Sequence, residues 1–152
     1  MTGSQSSFAE IARLHFGYLI SEYGFHAGVL AIEPGGVCVQ SFTSDACHLN
    51  VRQVGSQVLV DIGPGTGGGA DEQCDLCEIV RVRDAGAGFQ YLFDPDAYTR
   101  DTHGYLTREM ARLAGLVRHH CGDMLRGDFR LLADLKVARN QDLARVFGPH
   151  VH

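Results

Sequence analysis

No apolar run in this 152-residue chain approaches the roughly 20 residues that a helix needs to span a bilayer, which argues against a membrane segment. The opening residues, MTGSQSSFAE, lack a basic stretch and an apolar core ahead of a cleavage site, so no secretory signal is read there. Positive charge is in short supply. Thirteen Lys and Arg stand against 18 Asp and Glu, for a net charge of −5. That balance fits poorly with duplex DNA, whose binding depends on cationic neutralisation of phosphates. Lysine is nearly missing, at one against twelve arginines, a bias with no functional account. The five cysteines are odd in number and dispersed, unlike the dense sets of small secreted scaffolds. Reduced thiols and a cytoplasmic location are expected. The chain has no G-x-S-x-G elbow, and no assembled acid, base and oxyanion site can be read from it.

What is present is an ordinary globular composition, 45% hydrophobic and 20% charged, in a chain long enough for one domain with a substantial core. Residues 26–63 carry the clearest pattern. HAGVLAIE, VCVQSFTS, ACHLNVRQV and QVLVDIG are four short strands, separated by Pro34-Gly35-Gly36, Ser44-Asp45 and Gly55-Ser56. This is the signature of an antiparallel meander. The two-residue loop with Gly55 first suits a type II′ turn. It pairs Val54 with Gln57, Val51 with Val60 and Leu49 with Ile62. Because side chains alternate along a strand, Leu49, Val51, Val60 and Ile62 then share one face.

Helices flank the meander. Ser7-Phe8-Ala9-Glu10 matches a capping box, and Phe8, Ile11, Ala12, Phe16, Leu19, Ile20 and Tyr23 form one stripe that ends at Gly24. Residues 71–84 read as a helix capped by Asp71, with a fifth strand at 79–82 as the alternative. Residues 89–93 are a small strand or ordered loop, and 94–104 a connection. Leu106, Met110, Leu113, Val117, Cys121 and Met124 mark a helix from Asp101 or Thr102 to about Met124. Asp128 caps a last helix with Leu131, Leu132, Leu135, Ala138 and Val146 inward. The expected architecture is a single α+β domain over residues 1–152. It has an antiparallel meander of four or more strands packed against an N-terminal helix and two C-terminal helices.

The glycine loop at 63–70 lacks the Lys and Ser or Thr of a phosphate-binding loop and continues into Ala70-Asp71-Glu72, so it reads as a connection. Cys74-Asp75-Leu76-Cys77 has the spacing of a metal or redox pair. Zinc needs two further ligands, and the His119 and Cys121 side chains diverge by about 200° on a helix. Packing inside a helix is the plainer account of Cys74 and Cys77. Charge is asymmetric: residues 61–101 hold nine acidic and three basic residues. Asp71, Glu72, Asp75, Glu78, Asp94 and Asp96 are therefore candidates for contact with a basic protein partner. Solvated faces and turn chemistry account for the same residues without a partner.

Two segments carry a likeness. Phe16-Gly17-Tyr18-Leu19-Ile20-Ser21-Glu22-Tyr23-Gly24-Phe25 is similar to an opening helix of the form F-x-x-L-x-x-x-Y-G-F. Cys121 to Phe129 is similar to a D-x-L-x-G-D turn. Together they resemble a broad set of small uncharacterised bacterial α+β proteins, some of them like immunity proteins of toxin systems. With an acidic α+β chain and no assembled active site, the resemblance adds to the expectation of a non-enzymatic binding protein without a cofactor, and it transfers no catalytic residue. The alternative is a zinc or thiol-redox protein centred on Cys74 and Cys77.

Overall fold

The structure, a computed structural model, describes residues 3–65 and 72–147. Helices α1 (Gly3–His15) and α2 (Tyr18–Tyr23) lead into strands β1 (His26–Ala27), β2 (Ala31–Glu33), β3 (Val37–Thr43), β4 (Cys47–Val54) and β5 (Gln57–Pro64). The short β6 (Cys74–Asp75) runs into α3 (Leu76–Arg83). Helices α4 (Pro95–Arg100), α5 (Thr102–His120), α6 (Gly122–Leu125) and α7 (Leu131–Phe147) complete the chain. The sheet is antiparallel in the order β1-β3-β4-β5-β6, with β2 also paired to β3. The α+β architecture and sequential meander are as the sequence predicts.

The β4–β5 register places Val54 opposite Gln57, Val51 opposite Val60 and Leu49 opposite Ile62. Gly55 has φ 60°, and among the described residues only glycines have positive φ, so Ser56 does not. That combination fits type II′ and excludes type I′. Leu49, Val51, Val58, Val60 and Ile62 are all fully buried against Phe8, Phe16, Leu76, Tyr105, Met110 and Leu113. The opposite face of the sheet is polar. Ser41 Oγ donates to Asn50 Oδ1 (2.7 Å), and Asn50 Nδ2 donates to Asp61 Oδ1 (3.0 Å). Arg52 bridges Asp61 (2.9 Å) and Glu33 (2.7 Å). His48 meets Pro64 O at 2.7 Å and Gln73 Oε1 at 2.9 Å.

Several local expectations are corrected. The first strand is split, because Gly28, Val29 and Leu30 stand opposite only Gln40 and Ser41. The extra residue makes a bulge. Buried Gln40 spans it, donating from Nε2 to Gly28 O (2.7 Å) and Ser41 O (3.2 Å). Ser7 and Glu10 lie within α1, which starts at Gly3, so they are not a capping box. The N-terminal helix is broken at Phe16-Gly17, where a Cβ on Gly17 would approach Arg13 O to 2.9 Å. Beyond the break, Ile20 is exposed rather than inward. The helix expected over 71–84 spans Leu76–Arg83 and is capped by Asp75, while Asp71, the expected cap, lies outside the described residues. Residues 95–100, expected as connection, form α4. The helix expected to reach Met124 stops at Cys121, where Arg83 reaches across to bond His120 O and the Asp123 carboxylate (2.8 and 2.5 Å). Asp128 accepts from Arg130 N (3.1 Å), ahead of a helix that begins at Leu131. Leu131 and Leu135 of that helix are buried, packing it chiefly on α3. No helix among the described residues is long and apolar enough to cross a membrane.

The turn can be tested without disturbing packing, because no atom lies within 4 Å of a Cβ built on Gly55. Gly55→Ala is expected to lose about 1–2 kcal/mol, purely from the positive φ. Urea denaturation measures this, and unchanged stability would mean that the turn does not hold the register.

Candidate partner-binding surface

Residues 89–93 have no regular structure, yet Phe89, Gln90, Tyr91 and Leu92 are each tied down. The Phe89 and Tyr91 rings meet edge-on at 5.2 Å, and the Arg112 guanidinium lies over Phe89 at 5.1 Å. Arg112 also donates to Gln90 O (3.2 Å). The Tyr91 hydroxyl sits on the edge of β5, accepting from Val60 N (3.2 Å) and lying 3.0 Å from Val60 O and 3.1 Å from both Asp75 oxygens. Burial, foremost, and the Asp75 charge push its pKa well above the ordinary tyrosine value. Leu92 N donates to Glu109 Oε2 (3.2 Å), and Tyr105 Oη donates to Leu92 O (3.4 Å).

Glu109 organises this arrangement. Its side chain is 1% exposed on α5. A buried carboxylate is costly unless paired and hydrogen-bonded. Arg112 supplies two bonds of 2.7 Å, and the Leu92 amide a third. The loop so held turns two apolar side chains outward: Leu92 is 42% exposed and Phe93 68%. A large aromatic exposed on a pinned loop is a candidate contact residue.

The acidic residues follow directly. Asp94 caps α4 through Ala97 N (3.1 Å), with Pro95 in the first turn, where its missing N–H costs nothing. Asp96 is exposed in that turn, on the positive end of the helix dipole. Asp75 and Glu78 form a capping box on α3: Asp75 Oδ1 accepts from Cys77 N (2.8 Å) and Glu78 Oε1 from Asp75 N (3.2 Å). Burial raises the Asp75 pKa, and the hydrogen bonds from Cys77 N and Tyr91 only partly offset it. Burial also works against the charge on Glu78, but the Arg139 guanidinium, at 2.7 and 3.0 Å, outweighs it and holds the pKa below the ordinary value. Glu72 is half-buried, and Asp71 lies outside the described residues. Asp75, Asp94 and Asp96 thus gather around the 89–93 loop, Asp75 at its base through Tyr91. Glu78 points instead to α7.

The two thiols of the Cys-x-x-Cys segment have different surroundings. Cys74 is fully buried in the core, and burial pushes its pKa up to about 11. Cys47 and Cys121, also buried, are each pushed to about 12 by the same cause. Cys77 is half-buried, with Arg81 Nη2 at 3.6 Å and Phe89 O at 3.7 Å from its sulfur. Among the described residues no three His, Cys, Asp or Glu side chains converge as a metal-ligand group.

Sequence reasoning passed over Phe93 and Glu109. Nothing local marks Phe93 as exposed. Glu109 did leave a signal: an acid in the Leu106–Leu113 stripe of α5, where core positions are apolar.

Glu109→Ala strands the Leu92 amide and the Arg112 guanidinium. A loss of about 2–3 kcal/mol is expected in denaturant unfolding, with faster hydrogen exchange at Leu92. Slow exchange at Leu92 in the variant would show that the loop is held by other means. The Glu78–Arg139 pair has a pH signature. Because the folded pKa is depressed, its stabilisation is whole above the ordinary glutamate value of 4.5 and is lost as pH falls through the lower folded value. Wild type should melt above Glu78→Gln at neutral pH, and the two should converge in acid. A constant gap would contradict the assignment.

Comparison with protein families, curated proteins and solved structures finds no match for this chain.

Proposed function

We propose that the chain is a non-enzymatic, immunity-like binding protein that takes a basic protein partner at the Leu92–Asp96 segment. The observation that carries this reading is Phe93, 68% exposed on a loop whose neighbouring residues are anchored. An aromatic held outward in advance loses little entropy on binding. Asp94 and Asp96 follow it with negative charge, within a stretch, residues 61–101, that holds nine acidic against three basic residues. A basic surface with an apolar pocket is the complement, as a toxin-like enzyme presents to its inhibitor. Of the other acidic candidates, Glu78 is paired with Arg139 and Asp75 is covered by Tyr91, so the contact rests on Asp94 and Asp96. A zinc or redox function at Cys74 and Cys77 has less support, because Cys74 is sealed in the core.

The test is capture from the native host at low and high salt, followed by titration of the purified partner. A basic protein is expected, with association slowed by salt. Phe93→Ser should weaken binding on the order of thirtyfold, and Asp96→Lys should act mainly on the association rate. A partner indifferent to Phe93→Ser would overturn the assignment.

A further inference from the structure

The opposite edge of the sheet carries a second surface. The bulge at Gly28–Leu30 turns Val29 into solvent at 90% exposure, more than any other large hydrophobic among the described residues. Leu14 on α1 is 76% exposed and Ile32 on β2 is 47%. Between α1 and the bulge lies a recess of about 190 Å³ lined by Ser6, Ala9, Glu10, Arg13, Val29 and Leu30. Arg13 ties its two walls together through Gly28 O (3.4 Å). Edge strands are ordinarily blunted by charge, yet here the bulge displays valine.

We propose that this face is the interface between two copies of the chain, related by a two-fold axis. Three features favour a second copy over another partner. The protruding Val29 and the recess that would receive it adjoin on one surface, which an isologous contact requires. Glu10 and Arg13 lie three residues apart on α1, so each copy offers an acid and a base, and a two-fold axis sets Glu10 of one against Arg13 of the other. The pair is also neutral together, and a chain of net charge −5 approaches itself most easily where local charge cancels.

Sedimentation velocity on the full chain over a dilution series tests this. Wild type is expected to pass reversibly between monomer and dimer. Val29→Lys should raise the dimer dissociation constant on the order of thirtyfold or more. Its melting temperature at low concentration should match that of wild type, because the replaced side chain is solvated. Glu10→Arg and Arg13→Glu should each weaken self-association, since each sets like charges together. Mixing the two should restore a dimer, as each charge then meets its opposite. A wild type that stays monomeric throughout, a dimer untouched by Val29→Lys, or single variants that do not associate when mixed would each overturn the proposal.

Discussion

The register of the β4–β5 hairpin decides which side of this protein is inside. A slip of β5 by one residue at Gly55-Ser56 would send Val58, Val60 and Ile62 to solvent and draw Asp61 inward. Each such apolar side chain contributes about 1.5–3 kcal/mol by burial, so the slipped state is far out of reach. The helices gather on the apolar face for that reason, and Ser41, Asn50, Asp61, Arg52 and Glu33 satisfy one another on the other. The 89–93 loop depends on the same choice. Ahead of Asp61, β5 has no strand on its outer side among the described residues, and the Tyr91 hydroxyl answers Val60 there.

The acidic middle of the chain shows why a count of charges misleads about surfaces. Asp75, Asp94 and Asp101 each accept from a backbone amide at a helix start. Three short connections in about 30 residues demand three caps, and aspartate supplies them at small cost. Carboxylates spent on these amides are not available as direct contacts. Asp96 is free of the capping role and faces water beside Phe93.

What was legible in the sequence was what neighbouring residues decide among themselves. The hairpin register could be read because turn chemistry and alternation pointed to it independently. The stripe from Leu106 to Met124 could be read because helical spacing repeats. Contacts between distant segments were not legible. The stop at Cys121 depends on Arg83, nearly forty residues earlier. The split first strand depends on Gln40 filling the bulge. The candidate site falls in the same class: Phe93 is exposed because Glu109, a helix away, fixes the Leu92 amide. Asp94-Pro95-Asp96 was visible as turn-forming residues, and the same capping chemistry opens α4.

The sheet order then relates the two surfaces. The Val29 face lies at the β1–β2 edge, and the 89–93 loop is anchored to β5, with β3 and β4 between them. A two-fold contact through the first edge leaves the loop of each copy on the far side, unobstructed. Such a dimer presents two Phe93 sites facing away from each other. Two separate partner molecules can then bind without competing for space, whereas one small partner cannot span both sites, so dimerisation adds sites without adding avidity. The affinity of each site must therefore come from its own loop. On the proposed reading, the energetic weight falls on the Glu109–Arg112 pair, which anchors the loop through the Leu92 amide and the Gln90 carbonyl.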